Sequence, residues 1–284
     1  MLLLVIATVV GVLVFRGVTE GPGSQRPLSV LRTRDYHSLM FSTDDPRVVF
    51  FGHHDGIMRS DDGGTTWRRL IERPNFDAMG VGVSRRDSRL VYLAGHDIFE
   101  VSRDGGVTWR PVQHDLPGTD IHGFAVSPED RLFAFVVGYG LFRSSDAGST
   151  WVRLSSQLPA DVMGLATGGG NPETLYVASM SGGVLKSADG GQTWVQVGRG
   201  LISGAVMVIA LDPGAPNTVY AGGDEGLYKS VDRGDSWTKL AFTGSNVTAL
   251  AISPAQAGLL LAINVVGEEG QVYRSEDGGV TWGR

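Results

Sequence analysis

Cysteine is absent from this 284-residue chain, which excludes disulfides and thiolate metal sites and leaves the redox compartment open. Strong charge is missing as well. The formal net charge is −6, with acids and bases interspersed, so nucleic-acid binding has no electrostatic support. Histidine is scarce: His37, His53, His54, His96, His114 and His122 are the whole set, and none follows. Long apolar runs are also lacking, except at the start. Met1 to Phe15 is uncharged and apolar, Arg16 follows, and then comes a Gly/Pro/Ser stretch to Pro27. A spanning helix wants about 20 residues, so residues 1–18 are expected to form a short apolar helix serving as a signal peptide or membrane anchor. No Lys or Arg precedes this run and no Ala-x-Ala site follows it. An anchor that places the rest of the chain outside the cytoplasm is therefore the favoured expectation, with 19–27 as a flexible linker.

Glycine, by contrast, is plentiful at 41 residues, and a motif explains why. Ser60-Asp61-Asp62-Gly63-Gly64-Thr65-Thr66-Trp67 recurs at Ser102 to Trp109, Ser144 to Trp151, Ser187 to Trp194, Ser230 to Trp237 and Ser275 to Trp282. The pattern is Ser-x-Asp-x-Gly-x-Thr/Ser-Trp, and its period is 42 to 45 residues. Repetition at that period means one supersecondary unit used many times. The Asp (62, 104, 146, 189, 232 or 277) can accept backbone N–H bonds of a tight turn, and the Gly can take positive φ. The hydroxyl can close the turn from the other side. All six tryptophans are used here, each expected to begin the next strand and lay its ring on a neighbour.

The rest of each repeat reads as short strands. Gly140-Leu141-Phe142-Arg143-Ser144 precedes one motif, Leu90-Val91-Tyr92-Leu93-Ala94 is a β-rich run, and Ile121 to Val126 is an apolar run. Trp151-Val152-Arg153-Leu154 follows a motif. Four strands per repeat make a propeller blade, and six repeats predict an all-β, six-bladed β-propeller over residues 28–284. The sixth motif ends at Trp282, which leaves the last blade without an outer strand. Residues 28–32 are free to supply it and to close the ring with no open sheet edge.

The motifs share one rim of such a ring, and the histidines gather toward the other. In repeat register, His37, Met79, His122, Met163, Met207 and Thr248 occupy one position at the start of the inner strands. His53-His54-Asp55, His96-Asp97, Met180 and Asp224-Glu225 lie in the turns after the second strands. Asp35, Asp77, Asp120 and Asp161 lead into the inner strands. His37, His53, His96 and His122, with Met79, Met163 and Met207, are therefore expected around one space at the channel mouth. Imidazole with thioether suits copper, and imidazole with carboxylate suits zinc. A channel lined by mixed polar and Met side chains with no ligand stands beside that reading, as does a site for a non-metal ligand or partner.

The Ser-x-Asp-x-Gly-x-Thr/Ser-Trp motif is the Asp-box, or BNR repeat, and the chain resembles Asp-box propellers over nearly all of its globular part. These include sialidases and other BNR-type glycoside hydrolases, sortilin-type receptors and photosystem II assembly factors. Tyr36-His37-Ser38-Leu39, Gly52 to Gly56, Asp77 to Gly80, Ala94-Gly95-His96 and Asp120 to Phe124 make it most similar to bacterial exported sialidase-like proteins. For a sialidase, the resemblance implies three arginines on the substrate carboxylate, a Tyr/Glu nucleophile pair and a Phe/Tyr-Arg-Ile-Pro motif. The Phe/Tyr-Arg-Ile-Pro motif and the arginine triad are not found, and Arg34 and Arg73 are the clearest arginines on the rim opposite the Asp-boxes. Another glycoside hydrolase would need two carboxylates, for which Asp55, Asp77, Asp97, Asp120 and Asp224 are candidates, against the plainer reading of solvated turns. A non-catalytic binding or assembly module, meeting a protein or carbohydrate at the rim opposite the Asp-boxes, is the favoured function, and a sialidase-like glycoside hydrolase is the alternative.

Overall fold

The structure is a computed structural model and describes residues 25–201 and 204–283. Among them, 24 strands form six antiparallel four-stranded sheets, and no helix is long and apolar enough to cross a membrane. The helix expected over 1–18 lies outside the described residues. β1 (Ser29–Leu31) comes first. Blade one is β2 (Ser38–Phe41), β3 (Val49–His53), β4 (Gly56–Ser60) and β5 (Arg68–Glu72), paired in that order. The next four blades repeat the plan. They run from β6 (Gly80–Val83) to β9 (Arg110–Pro111), from β10 (Ile121–Val126) to β13 (Val152–Ser155), from β14 (Val162–Gly170) to β17 (Val195–Val197), and from β18 (Val206–Leu211) to β21 (Thr238–Lys239). Blade six holds β22 (Val247–Ile252), β23 (Leu260–Val266) and β24 (Glu269–Ser275), and β1 is its outer strand.

That last pairing sets the first strand of the described residues beside the last. Ser29, Val30 and Leu31 face Val272, Gln271 and Gly270, and Leu28 N donates to Val272 O at 2.7 Å. The innermost strands pack each against the next, and β22 packs against β2.

Burial follows position in the blade. β3 is buried at every residue, because both of its faces meet neighbouring blades, and it reads as the continuous apolar run Val49-Phe50-Phe51. β5 is largely exposed and reads Arg-Arg-Leu-Ile-Glu. The core is correspondingly split into six apolar layers, one between each pair of adjacent blades. Leu31, Phe41 and Phe51 meet Ile263 and Val272 between blades one and six, for example, and Tyr92 and Phe99 meet Phe124 and Leu132 between blades two and three.

The six motif turns are built alike. In the third, Ser144 Oγ donates to Asp146 Oδ1 at 2.8 Å and accepts from Gly148 N at 2.9 Å. Asp146 accepts from Thr150 N at 2.9 Å and from Thr150 Oγ1 at 2.6 Å, bonds that hold its carboxyl at a pKa of about 2. In blades one to five the tryptophan stands one residue before the outer strand rather than inside it, and its indole N–H folds back onto the motif glycine. Trp151 Nε1 reaches Gly148 O at 2.9 Å. Gly148 has φ +91°, and a Cβ there would sit 2.7 Å from the Phe99 ring of the preceding blade. Only glycine fits.

Ser144 is buried, so Ser144→Ala leaves the Gly148 N–H with no partner. A loss of about 1–2 kcal/mol in chemical denaturation is expected, with ligand binding intact. Asp146→Ala should lower the melting temperature in the same sense. An unchanged unfolding midpoint in both would show that these bonds do not organise the turn.

Sequence composition placed Gln25 in a flexible linker. The side chain is tied to the connection between β21 and β22: its Oε1 accepts from Thr243 N at 2.9 Å, and its Nε2 donates to Ala241 O at 2.5 Å. The tethered chain thus begins at least two residues before Pro27.

Candidate functional site at the channel mouth

A local backbone irregularity aims side chains into the channel. In blades three to six, the register between the inner and second strands slips by one residue. It slips between Ile121 and Gly123, Val162 and Gly164, Val206 and Val208, and Val247 and Ala249. The residues skipped are His122, Met163, Met207 and Thr248, four members of the predicted repeat position. A bulged residue leaves the ladder and its side chain is redirected. His37, Met79, Met163, Met207 and Thr248, with Asp35 and Tyr36, line one cavity of about 210 Å³. Five of the six residues at that repeat position thus line one space, and His122 is not among them.

Beside it the histidines gather around two carboxylates. Asp77 is 2% exposed and sits at the centre. Its Oδ2 lies 2.6 Å from His96 Nδ1 and 3.2 Å from His54 Nδ1. Its Oδ1 lies 2.8 Å from His37 Nε2, in ion-pair range but off the line of a hydrogen bond. Burial pushes the Asp77 carboxyl up, but the three imidazoles, His37 first, more than offset this and hold it below the usual range.

On its far side His96 turns Nε2 toward His122 Nε2, 2.9 Å away. Asp120 Oδ1 stands 3.2 Å from both of these nitrogens. Burial lowers the His122 pKa, against a smaller opposing pull from Asp120. Asp35, His37 and His54 form a looser second group, with Asp35 Oδ2 at 3.6 Å from His54 Nδ1.

His37, His96 and His122 thus come together as expected, and His53 does not. In β3, residues two apart share a face, so His53 follows Phe51 into the blade interface and stacks on it at 5.5 Å. His53 Nδ1 accepts from Asp55 N at 3.2 Å, which leaves its proton on Nε2, and that atom is buried without a partner. His54, in the turn beyond the strand, takes the place assigned to His53. Period-two alternation from Phe51 was the signal that separates them. His114 packs edge-on against Phe99, away from the cluster.

The other candidate carboxylates stand apart from the histidine cluster. Asp55 is held by Arg34 at 2.6 and 2.8 Å and by Asn75 N at 3.0 Å, and these bonds, Arg34 first, keep it far below the usual carboxylate range. Asp97 sits in a left-handed turn with φ 56° and accepts from Thr119 Oγ1 at 2.6 Å. Asp224 lines a separate hollow with Met180 between blades four and five. Of these five candidates, Asp77 and Asp120 are the two whose carboxylate oxygens come within 3.2 Å of histidine nitrogens.

Next to the cluster, on the same rim, an open groove of about 960 Å³ lies between blades one and six. Arg32, Arg34, Arg69, Glu72, Tyr36 and Glu269 are among its lining. Three ion pairs frame it, Arg32–Glu269 at 2.6 Å, Arg34–Asp55 at 2.6 Å and Arg69–Glu72 at 3.3 Å.

No protein-family model matches the chain, and no curated protein matches it. Solved structures do. The GH74 enzyme of Niastella koreensis aligns with TM-score 0.64 and 18% identity over 92% of this chain and 46% of the enzyme. The GH74 xyloglucanase of Xanthomonas campestris aligns with TM-score 0.58 and 17% identity over 90% and 54%. YCF48 bound to D1 peptide aligns with TM-score 0.59 and 17% identity over 92% of this chain and 84% of that one. YCF48 from Cyanidioschyzon merolae aligns with TM-score 0.55 and 17% identity over 92% and 87%. The likeness is one of fold. The chain spans about half the length of the two GH74 enzymes and most of the length of YCF48.

Proposed function

We propose that this chain is a non-catalytic binding module whose working face is the histidine-bearing rim, and that it docks an extended segment of a protein partner in the groove between blades one and six. One observation carries the reading: an open groove lined by exposed charges of both signs and by Tyr36, whose carboxylates Asp55 and Glu269 are engaged by arginines. A peptide supplies the matching pattern of amides and mixed charges. YCF48, a propeller of similar extent, is known in a peptide-bound form, and that agrees with the reading. Residues 1–18 hold the module outside the cytoplasm, as anchor or signal, and β1 closes the ring so that the groove has a firm wall. The six motif turns are Asp-boxes with a structural role.

Photo-crosslinking tests the face. A crosslinker at Glu268 on the groove should capture the partner in intact cells, whereas one at Val107, exposed on the turn rim, should not. Arg34→Glu with Arg69→Glu should abolish the capture. Equal capture from both rims would sink the proposal.

Fold likeness to GH74 enzymes supports a second reading, glycoside hydrolysis with Asp77 and Asp120 on either side of His96. It is weaker, because Asp77 is buried and faces three imidazoles rather than open space. Turnover of any polysaccharide or aryl glycoside that Asp120→Asn removes would favour this reading over the first.

A further inference from the structure

We infer that His96, His122 and Asp120 form a mononuclear site for a divalent transition ion of the zinc class, bound through His96 Nε2, His122 Nε2 and Asp120 Oδ1. The site does not depend on the peptide groove, and each can fail alone.

The geometry fits at three levels. First, the three donor atoms stand 2.9, 3.2 and 3.2 Å apart. Ligands at about 2.0–2.1 Å from one ion are about 2.9 Å apart at right angles and about 3.3 Å apart at tetrahedral angles, so the observed triangle is one face of such a polyhedron. Two neutral imidazoles meeting nitrogen to nitrogen share a single proton, and a carboxylate oxygen at the same point asks for a cation.

Second, a buried carboxylate stands behind His96. Asp77 Oδ2 lies 2.6 Å from His96 Nδ1, in ion-pair range, at the ring nitrogen opposite the one that faces the triangle. Carboxylate–imidazole pairing of this kind orients metal-binding histidines and raises their basicity. Asp77 is buried and is itself held by His37 and His54, so it acts as a positioning residue and not a ligand.

Third, the backbone fixes the spacing. His96 and Asp120 form a β-bridge, Asp97 N donates to Thr119 O at 3.0 Å, and His122 follows on the bulge of β10. All three donors thus come from two neighbouring blades whose registry is set by ladder bonds.

The triangle is also reachable. The side chains of His96 and Asp120 are 43% and 50% exposed, so remaining coordination positions open to solvent or to a ligand. The donor set chooses the ion. Met79, Met163 and Met207 line the neighbouring cavity with His37 and take no part in this triangle. Two imidazoles and one carboxylate suit zinc or another first-row divalent ion, whereas the His/Met set expected from repeat alignment would have suited copper.

Cobalt(II) tests the site directly. The full chain, without affinity histidines and stripped with chelator, should bind one equivalent. It should show visible bands of a four- or five-coordinate ion, and zinc should displace them. His122→Asn and Asp120→Asn should each weaken binding at least a hundredfold. Asp77→Asn should weaken it about ten- to a hundredfold while keeping the band positions. His114→Asn should change nothing. Zinc should raise the melting temperature of the wild type and not of His122→Asn. As a check that needs no variant to fold, zinc should protect His96 and His122, but not His114, from diethylpyrocarbonate in the wild type. Equal cobalt binding by wild type and His122→Asn, or no selective protection, would overturn the site. Loss of metal binding with retained crosslinking at Glu268 would overturn the site alone and leave the docking face standing.

Discussion

Deletion of residues 1–34 is expected to cost the propeller about 5 kcal/mol, a third or more of a typical domain's stability, whereas deletion of 1–24 leaves the melting curve unchanged. The physical difference is one strand. Without β1, the outer edge of β24 loses its partner, and the layer between blades six and one loses Leu31, which is 4% exposed. The hydroxyl of Tyr36 also loses its bond to Leu31 O and keeps only that to Glu268 O. One buried leucine, part of Leu28 and several ladder bonds together amount to about 5 kcal/mol. Whole domains of this kind are stable by about 5–15 kcal/mol. The exposed pairs Arg32–Glu269 and Arg34–Asp55 add little to that figure. Deletion of 1–26 should fall between the extremes, since it removes the surface ties of Gln25 to Thr243 and Ala241 together with Arg26 and its own interaction. Thermal melts of the three truncations decide the matter, with light scattering to detect association through the bared edge. A 35–284 chain that melts with the wild type would show that β1 is an ornament on a ring already complete.

The fold was legible because its signal is covalent and periodic. Six motifs at one spacing fix blade number and turn position, and the missing outer strand after Trp282 points to residues 28–32. The site was legible only in part, because repeat register fixes where a residue lies along a strand and not which face it takes. His37, Met79, His122, Met163, Met207 and Thr248 were found by register alone, since each blade repeats the same bulge or strand start. His53 and His54 show the limit. They are neighbours in one turn, and only the alternation running through Phe51 sends the first into the blade and the second to the mouth. The role of Asp77 was hidden for another reason. Its partners come from three different turns, and no local pattern reports that they converge on one buried carboxylate.

His53 should make the protein lose stability as pH falls from 6.5 to 4. Its ring is 3% exposed and stacks on Phe51, and burial is the main cause that pushes its pKa down to about 4. Its Nδ1 already accepts the Asp55 N–H, so a second proton would have to displace that bond. The groups facing it pull both ways: Asp55 and Asp77 raise its pKa, while His37 and Arg69 lower it, and burial outweighs the sum. In the unfolded chain the same histidine titrates near its ordinary value of about 6.5. The unfolded state therefore binds the proton first, and stability falls with pH through that window. The contribution is complete above 6.5, drains away between 6.5 and 4, and changes no further below. It amounts to about 2 kcal/mol, after discounting for the ring edge that borders the open groove. His114 and His122, also lowered by burial, add to the slope of the wild type, so the decisive quantity is a difference. His53→Leu removes one titration and leaves those two. Its stability relative to wild type, measured by denaturant unfolding from pH 8 to pH 4, should be constant above 6.5 and should improve by about 2 kcal/mol on the way to 4. The carboxylates of the motif turns titrate below this range, where Asp146, Asp189, Asp232 and Asp277 sit at about 2, and they do not blur it. Two curves that run parallel across the whole range would mean that His53 gains its proton as easily in the folded protein as in the unfolded one.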